Sequence, residues 1–535
     1  MIVKGAEALA QGLYRMGVQV VTGYPGSPAT GVMDAYKRIT KRKKNYLSRW
    51  MINEKVSLEY ALGYAFAGLR TATVVKNVGF NLIMDTLVIA AHTGVMGACL
   101  IMLGDDPGAL GSSHEEDARL LAVAAEVPLL EPSAPSRALD SIRRGIEISE
   151  EHRVPVVIRF TPDFVSEKEK VSLPSPLAPP PLSFRSSGEA TGFTCLPHQA
   201  ISHHARLHKI MDTLSREAVL SRWEDSGEVG IIGVGSCSLK IKKILATLGK
   251  DELKTMWLEE VNPLPSKMLL EFLAGLKKVL VVEEGYPLVE EKVASLCHHD
   301  QREVEISGKL TGHLPREDVL FMGDIYRGVI AISSRTVGEE VARQFQKEKG
   351  GWGEEKPLCP DCPYGTIVEA LNRFWMAKGM VIPALAVEPG CGVRLFYPPY
   401  RKADVKLCMG SASPIISALA SLFPSERPVA IIGESAFLNS GVPALIQMCS
   451  LGAKILIFIV NNYSAALTGF QPTMELGREE ITETLKKVIQ GAGPAFFATV
   501  SEDSLAKVDG LLNIAHSADG PSVFLINIPC PEMNR

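Results

Sequence analysis

The sequence predicts an α/β protein of three doubly wound parallel-sheet domains. Short, continuously apolar runs alternate with amphipathic helical segments, which is typical of parallel sheets covered by helices on both faces. Two stretches, 171–190 and 346–357, break this alternation with proline, glycine and charged residues. The 535 residues suffice for three or four domains of the usual size, about 150 residues each.

The first predicted domain, 1–170, carries the clearest alternation. Helices are predicted over 5–17 and 54–69, and strands over 18–21, 71–75, 98–103 and 154–160. The proline-rich composition that follows predicts a stiff linker over 171–225.

The second predicted domain, 226–345, begins with a strand and turn at 229–236. Its Gly233-x-Gly235 lacks the third glycine of a dinucleotide-binding fingerprint, so a tight strand-to-helix turn is predicted there instead of a nucleotide site. The third predicted domain is 346–535. Further strands are predicted at 279–283, 429–432, 455–460 and 522–528, and a further helix over 441–450.

Composition and charge exclude several classes of protein. With 46% apolar and 22% charged residues, the chain is neither disordered nor mainly collagen-like or coiled coil. The 56 basic and 60 acidic residues form no basic stripe, so nucleic-acid binding is not expected. The longest apolar runs are far below the ~20 residues that span a bilayer. The N-terminus shows no signal segment and ten cysteines are too few for a disulfide scaffold, so a cytoplasmic location is expected.

Polar residues follow two apolar strands of the third predicted domain, at 433–435 and at 461–464. In open parallel sheets, ligands bind at this edge, outside the carboxyl ends of the strands. The carboxylate of Glu434, the side-chain amide of Asn462 and a nearby backbone carbonyl are hard oxygen ligands that suit Mg²⁺ held against a diphosphate. The residues alone leave a second interpretation open, a strand-end turn with an asparagine cap.

Four of the ten cysteines lie in turns rather than on an apolar face. Cys359 and Cys362 form a Cys-x-x-Cys pair in a proline-rich turn, Cys391 follows in a glycine-rich turn, and Cys530 stands between two prolines. Four thiolates can hold Zn²⁺ or an iron–sulfur cluster, and the spacing alone leaves zinc, iron–sulfur and no metal open. A core position is favoured for the cysteines in apolar or small-residue settings, namely Cys99, Cys237, Cys408 and Cys449.

Several motifs together resemble the thiamine-diphosphate-dependent 2-oxoacid:ferredoxin oxidoreductases. Residues 433–435 resemble the Gly-Asp-Gly of the thiamine-diphosphate motif, with Glu434 in place of the usual aspartate. The likeness is closest to the large subunit of the indolepyruvate ferredoxin oxidoreductases and spans most of the chain outside the linkers. Further segments that show this likeness are 24–28, 53–55, 76–79, 358–363, 408–411 and 461–472.

The resemblance implies thiamine diphosphate, Mg²⁺ and a [4Fe–4S] cluster as cofactors. It implies Mg²⁺ ligation by Glu434, Asn462 and the backbone carbonyl of Ser464, with a slightly larger metal cavity for the longer acidic side chain. The implied cluster ligands are Cys359, Cys362, Cys391 and Cys530. Other residues expected at the cofactor are Gly410, Ser411, Gly433, Ser435 and Asn461.

The resemblance also assigns residues of the first domain. Glu54, at the start of a predicted helix, is the expected catalytic acid that holds the aminopyrimidine of the cofactor, and Glu59 is its competitor. Arg119 is the candidate for a bidentate contact with the carboxylate of a 2-oxo acid, although an arginine beside three acids is as easily an ion-pair partner. Ser27 and Pro28 are expected to line the substrate pocket. A structural role is favoured for His92 and His114.

In this family the three domains have distinct types. Domain 1–170 would be the pyrimidine-binding thiamine domain, 226–345 a transketolase C-terminal-like domain, and 346–535 the diphosphate-binding thiamine domain. The implied reaction converts an aryl 2-oxo acid, of indolepyruvate or phenylpyruvate type, and coenzyme A into an acyl-CoA and CO₂. Electrons would pass through the cluster to ferredoxin or another electron-carrier protein.

The large subunits of this family usually continue into a ferredoxin-like domain, whereas this sequence ends at Arg535. A smaller partner subunit is therefore expected to complete the active site and to carry the electrons onward. Two alternatives stay open. One is a non-oxidative thiamine-dependent decarboxylase, against which the four cysteines argue, and the other is a non-catalytic assembly subunit of such a complex.

Overall fold

The computed structural model describes residues 1–178, 180, 193–224, 227–248, 253–333, 357–423, 426–474, 476–502, 504 and 508–534. These residues form two compact units. Residues 1–49 and 54–333 belong to the first unit, and residues 50–53 and 357–534 belong to the second. The predicted boundary segment 346–356 lies outside the described residues.

The strands up to residue 333 form three sheets. They are β1 (Ile2–Lys4), β2 (Val20–Gly23), β3 (Leu47–Trp50), β4 (Thr71–Lys76), β5 (Cys99–Gly104), β6 (Leu129–Leu130), β7 (Val156–Phe160), β8 (Lys168–Lys170), β9 (Arg222–Glu224), β10 (Val229–Val234), β11 (Leu253–Leu258), β12 (Glu260–Asn262), β13 (Lys278–Val282) and β14 (Glu305–Ser307). The largest sheet has the order β12-β6-β7-β5-β4-β2-β3 and is parallel from β6 to β2. A five-stranded sheet has the order β14-β13-β10-β11-β9, and β1 pairs with β8.

Two edge strands depart from the all-parallel prediction. β12 runs antiparallel to β6, with Glu260 opposite Leu130, and β9 runs antiparallel to β11. Antiparallel edges are common on otherwise parallel sheets. Because β12 comes from the predicted domain 226–345 and β6 from 1–170, these two segments share a sheet and form one unit rather than two separate domains.

The predicted linker 171–225 needs a second correction. Residues 179 and 181–192 lie outside the described residues, but helix Ala200–Arg216 and strand β9 fall within the predicted linker. Leu207, Ile210 and Leu214 recur at helical spacing and are buried. This periodicity marks a packed helix, and the proline-rich composition just before it obscured the signal.

Both helices that were predicted in the first unit are present, as Gly5–Arg15 and Glu54–Phe66. Helix Gly5–Arg15 buries Leu9 and Leu13, and Gly17, at φ 69°, supplies the left-handed residue that ends such a helix. Among the described residues, no helix combines the length and apolarity needed to cross a membrane. The remaining α-helices are Thr30–Thr40, Asn77–Thr93, Arg119–Ala124, Ala138–His152, Pro162–Ser166, Cys237–Leu248, Ser266–Leu273, Leu288–His299 and Met322–Ser333.

The second unit contains a six-stranded parallel sheet. Its strands are β15 (Leu385–Val387), β16 (Val405–Lys406), β17 (Val429–Gly433), β18 (Leu456–Asn461), β19 (Phe496–Ser501) and β20 (Ser522–Asn527), in the order β16-β15-β17-β18-β20-β19. Its α-helices are Pro363–Ala377, Ala412–Leu422, Glu434–Ala436, Val442–Ser450, Arg478–Ala492 and Val508–Ser517.

Alternate residues of this sheet enter different cores. Val429 and Ile431 of β17 belong to one buried apolar cluster, whereas Ala430 and Ile432 belong to another. Successive side chains of a strand point to opposite faces, so both faces of the sheet are covered. The predicted α/β class with helix-covered parallel sheets is confirmed.

Candidate functional site

The neighbouring strands β17 and β18 bring the predicted metal ligands to one edge of the sheet. They are parallel and in a register that pairs Gly433 with Val460. Glu434 follows the end of β17 and Asn462 follows the end of β18, so both lie at the carboxyl edge, where ligands bind in open α/β sheets.

Glu434 is a buried carboxylate whose hydrogen-bond partners are uncharged. Its side chain accepts a hydrogen bond from the hydroxyl of Thr473 at 3.1 Å, and that hydroxyl lies 2.8 Å from the Ser435 hydroxyl. Burial raises the pKa of Glu434 to about 7, and hydrogen bonds to the carboxylate oppose this rise. A cation beside the carboxylate would remove this penalty.

The amide of Asn462 faces two further oxygens. Its amide nitrogen, oriented inward, donates to Glu434 at 3.3 Å and to the backbone carbonyl of Ser464 at 2.7 Å. Rotating the amide by 180° would place its oxygen at the same position, as a metal ligand requires. The Ser464 hydroxyl is buried without a hydrogen-bond partner. A carboxylate, a carbonyl and an amide therefore meet at one point, and this donor set fits the oxygen coordination of Mg²⁺.

Asn461 has a different environment. Its side-chain nitrogen donates to Asn527 at 2.7 Å and to Thr482 at 3.2 Å, while its side-chain oxygen is buried without a partner. The amide thus ties β18 to β20 and leaves one oxygen unsatisfied. Its predicted contact with the cofactor stays a prediction.

Glu388 is a buried acid that the sequence prediction missed. Its carboxylate accepts the backbone N–H groups of Gly410 at 2.9 Å and Ala412 at 3.1 Å, at the start of helix Ala412–Leu422. Burial raises the pKa of Glu388 to about 7, against these two hydrogen bonds. It follows strand β15, so the strand-end rule that identified Glu434 would also have found it.

Gly410 and Ser411 lie in the turn that Glu388 holds. Gly410 has φ 83°, and a Cβ atom there would lie 2.7 Å from the Cβ of Ser440. The Ser411 hydroxyl donates to the carbonyl of Cys408 at 2.6 Å. Glycine is therefore required at 410 by both conformation and space, and a role of either residue at the cofactor stays a prediction.

The four predicted cluster cysteines come from separate parts of the second unit. Cys359 and Cys362 lie just before helix Pro363–Ala377, Cys391 begins a short 3₁₀ helix, and Cys530 follows β20. Burial raises the pKa of Cys362 to about 12 and that of Cys391 to about 11, and the neighbouring members of the group add to both shifts. The four thiols are thus mutual electrostatic neighbours.

Two polar side chains adjoin this thiol group. The Arg394 guanidinium donates to the Cys359 sulfur at 3.3 Å. Burial raises the pKa of Tyr364 well above its ordinary range, and the charges of Cys391 and Glu434 raise it further. The Tyr364 hydroxyl would lie 3.2 Å from a Cβ atom at Gly433. The thiol group and the strand-end oxygens are therefore neighbouring parts of one site.

The remaining cysteines only partly follow the core prediction. Cys99 and Cys237 are buried, as predicted, and Cys449 is half-buried. Cys408 is exposed, so its predicted core position is wrong. Its small and apolar neighbours in the sequence belong to the turn before helix Ala412–Leu422, whose surface faces solvent at this residue.

The two candidate glutamates of the first unit differ in burial. Glu54 begins helix Glu54–Phe66 and is buried, and a Cβ atom at Gly79 would lie 2.2 Å from its carboxylate oxygen. Glu59 is 45% exposed, forms an ion pair with Lys55 at 2.8 Å and accepts a hydrogen bond from Thr86. Burial therefore favours Glu54 over Glu59 as a functional acid.

The structure does not support a substrate-binding role for Arg119. This arginine is fully buried and pairs with Asp117 at 2.6 Å and with Glu283 at 2.8 Å. Its Nη2 also donates to the carbonyl of Tyr286. Because its guanidinium is already bound by acids of the same unit, the bidentate contact predicted for a substrate carboxylate is replaced by an internal ion pair.

The predicted substrate loop follows strand β2. Ser27 is exposed and Pro28 is buried. A Cβ atom at Gly26 would lie 2.9 Å from the stem of Lys76, whose ammonium donates to the carbonyl of Gly111 at 2.7 Å and pairs with Asp106 at 3.3 Å. Segment 76–79 contributed to the family resemblance, but no role was predicted for Lys76, which is the last residue of strand β4.

Two family models and several relatives match this chain. Residues 11–190 match the thiamine-diphosphate-binding family of pyruvate flavodoxin/ferredoxin oxidoreductases, and residues 393–526 match the C-terminal thiamine-pyrophosphate-binding domain of thiamine enzymes. Indolepyruvate oxidoreductase subunit IorA of Methanothermobacter thermautotrophicus is 31% identical over 98% of this chain and 86% of its own length. The same subunit of Methanothermobacter marburgensis is 30% identical with the same coverage, and that of Archaeoglobus fulgidus is 28% identical.

Proposed function

Because the chain belongs to the IorA family of thiamine-dependent 2-oxoacid:ferredoxin oxidoreductase subunits, we propose that it catalyses the oxidative decarboxylation of an aryl 2-oxo acid. The balanced reaction converts the 2-oxo acid anion and coenzyme A into acyl-CoA, CO₂, one proton and two electrons. The observation that supports this proposal is that buried oxygen atoms at the strand ends lie within electrostatic range of a group of four thiols in the second unit.

The oxygens at the ends of β17 and β18 are the proposed Mg²⁺ ligands. Glu434, Asn462 and the carbonyl of Ser464 would hold the ion, and Gly433 leaves space beside the Tyr364 hydroxyl. Thiamine diphosphate supplies the carbanion chemistry of decarboxylation when it is bound. Glu54, held in a buried position against Gly79, is proposed as the acid that exchanges a proton with the aminopyrimidine.

The four thiols are the proposed ligands of a [4Fe–4S] cluster. Such a cluster accepts one electron at a time and needs four thiolates. Its negative thiolates explain the placement of Arg394, whose guanidinium lies beside Cys359. The raised pKa values of the half-buried Cys362 and Cys391 make them unfavourable as free thiolates, and coordination by iron would stabilise their charged form.

The names of the relatives identify them as subunits, and this supports a partner subunit for the present chain. We propose that this smaller partner completes the active site and passes electrons to ferredoxin or another carrier protein.

The test is anaerobic purification followed by an inventory of iron, sulfide and thiamine diphosphate. The proposal predicts about four irons and four sulfides per chain, and ferredoxin reduction with indolepyruvate or phenylpyruvate and coenzyme A that requires the co-purified partner. Aldehyde release without ferredoxin reduction would identify a non-oxidative decarboxylase. Cofactor binding without turnover in the complete complex would identify an assembly subunit.

A further inference from the structure

Three side chains of metal-binding type meet in the first unit, away from the site described above. The ligand atoms of Glu126, His204 and His208 all lie within 4.8 Å of one another. The Nε2 atoms of His204 and His208 lie 3.0 and 3.2 Å from the Glu126 carboxylate. Among the described residues, no other three His, Cys, Asp or Glu ligand atoms lie this close together.

Helical spacing explains how the two histidines meet. His204 and His208 are four residues apart on helix Ala200–Arg216, so both project from one face of the helix. Their ring centroids lie 4.3 Å apart. Glu126 approaches this face from the turn before β6, where it has a left-handed conformation with φ 53°.

The helix that carries the histidines is fixed to the unit. Arg206 donates to the carbonyl groups of Ala91 and His152, at the ends of two other helices. Leu207 and Ile210 are buried beneath the helix. The three ligand groups therefore need little reorganisation to bind an ion, which favours affinity.

The separations match those of a tetrahedral metal ion. With metal–ligand bonds of about 2.1 Å, the ligand atoms of a tetrahedral site lie about 3.4 Å apart. The observed nitrogen–oxygen separations of 3.0 and 3.2 Å are within a few tenths of this value. Two imidazoles and one carboxylate form a ligand set that Zn²⁺ accepts, with its fourth position open to water.

We propose that Glu126, His204 and His208 bind one Zn²⁺ ion and that this ion fastens helix Ala200–Arg216 to the segment before β6. The competing explanation is an exposed carboxylate–imidazole ion pair. Ion pairs of that kind add little to stability and predict no specific binding of zinc.

The test is titration of the anaerobically purified full chain with Zn²⁺ alone, by calorimetry and by metal analysis after dialysis. The wild type should bind one more Zn²⁺ per chain than the His204→Ala/His208→Ala variant, and Glu126→Gln should weaken this binding at least tenfold. His299→Ala, which removes an exposed histidine from the last turn of another helix, should bind zinc as the wild type does. Zinc should raise the melting temperature of the wild type more than that of the double variant.

Equal zinc stoichiometry and affinity in the wild type and the double variant would overturn the proposal. If circular dichroism shows that the double variant is unfolded, Glu126→Gln becomes the test, because it keeps the size of the side chain. Unchanged zinc affinity in Glu126→Gln would then overturn the proposal. Co²⁺ distinguishes this site from the cysteines. The additional Co²⁺ that the wild type binds should show no thiolate charge-transfer absorption. Such an absorption band from this additional Co²⁺ would also refute the site.

Discussion

Two groups of buried polar side chains lie near strand ends in this chain. The carboxylates of one group have arginine partners, and the carboxylate of the other has none among the described residues. In the first unit, Arg119 and Arg159 form an ion-pair network in which every carboxylate has an arginine partner. The acids of this network are Asp105, Asp117, Glu131 and Glu283. In the second unit, Glu434 is equally buried but has no cationic partner among the described residues, and its carboxylate accepts hydrogen bonds only from the Thr473 hydroxyl, the Asn462 amide and backbone N–H groups.

The acids of the first unit are held by ion pairs within the fold, whereas Glu434 is the acid for which we propose a bound cation. In the first unit, removing an arginine would leave its acids buried and unpaired. A buried carboxylate that accepts only uncharged hydrogen-bond donors has no counter-charge of its own, and a bound cation would supply one. Burial and residue type are the same in both regions, so the identity of the partner is what distinguishes them.

The largest effect is expected for the four thiols that we propose as ligands of the cluster. Cys530→Ser and Cys362→Ser should each lose most of the iron that the wild type carries, because a [4Fe–4S] cluster needs all four thiolates. Cys449→Ser, in a separate apolar cluster, should keep its iron. Iron and sulfide analysis after anaerobic purification measures this. Stoichiometric zinc in place of iron would contradict the cluster.

The next effect tests the ion-pair network. Arg119→Met should destabilise the first unit by about 3–5 kcal/mol, because Asp117 and Glu283 would remain buried and unpaired. Chemical denaturation of the full chain measures this loss. Arg327→Ala, which breaks the largely exposed pair with Asp324, should cost at most about 1 kcal/mol.

The Arg119→Met variant also tests whether Arg119 has a structural role or binds substrate. A folded Arg119→Met protein with unchanged stability and a strongly raised KM for the 2-oxo acid would restore the substrate-binding role. The expected result is the reverse, with lost stability and no selective change in KM.

Arg119 also shows where sequence reasoning stops. Its neighbours in the sequence identify it as either a substrate clamp or an ion-pair partner, and the deciding acid, Glu283, is 164 residues away. By contrast, the strand-end rule needs only local information. A run of apolar residues predicts the strand, and the polar residue after it predicts the ligand-binding edge, which is how Glu434 and Asn462 were found.

The fold, like the site, was predictable where local sequence patterns determine it. Strands such as β17, β18 and β20 are continuous apolar runs whose ends were predicted to within one or two residues. β12 is three residues long and contains polar Glu260 and Asn262, so no period of apolar residues marks it. Its pairing with β6 depends on a distant segment, and this pairing is what joins two predicted domains into one unit.

A smaller effect is expected at Glu434. Here the substitution should not lower the stability of the apoprotein, whereas the Arg119 substitution should. Glu434→Gln should raise the Kd for thiamine diphosphate with Mg²⁺ at least about 100-fold, equivalent to about 2.7 kcal/mol. The apoprotein should keep or gain stability, because a buried uncompensated carboxylate is removed. Calorimetry and denaturation of the apoprotein measure the two quantities. Glu483→Gln, at an exposed position, is the control, and equal cofactor affinity in wild type and Glu434→Gln would refute the metal site.

The smallest effect concerns Glu388, whose carboxylate, like that of Glu434, accepts backbone N–H groups and has no cationic partner among the described residues. Burial raises its pKa from the usual 4.5 to about 7, so the folded state binds the proton more tightly than the unfolded state. The stability that this proton supplies is complete below about pH 4.5 and is lost as the pH rises through 7.

Between pH 6 and pH 8 the loss should be roughly 1 kcal/mol, since one pKa unit corresponds to about 1.4 kcal/mol. Glu388→Gln cannot lose this proton, so the stability difference between the variant and the wild type should shift in favour of the variant by that amount over the same interval. Denaturation of both apoproteins at pH 6, 7 and 8 measures the shift, and taking the difference removes titrations common to both proteins. A difference that stays constant across this range would show that the two backbone N–H groups fully offset the cost of burial. The carboxylate of Glu388 would then belong with the balanced charges of the first unit rather than with Glu434.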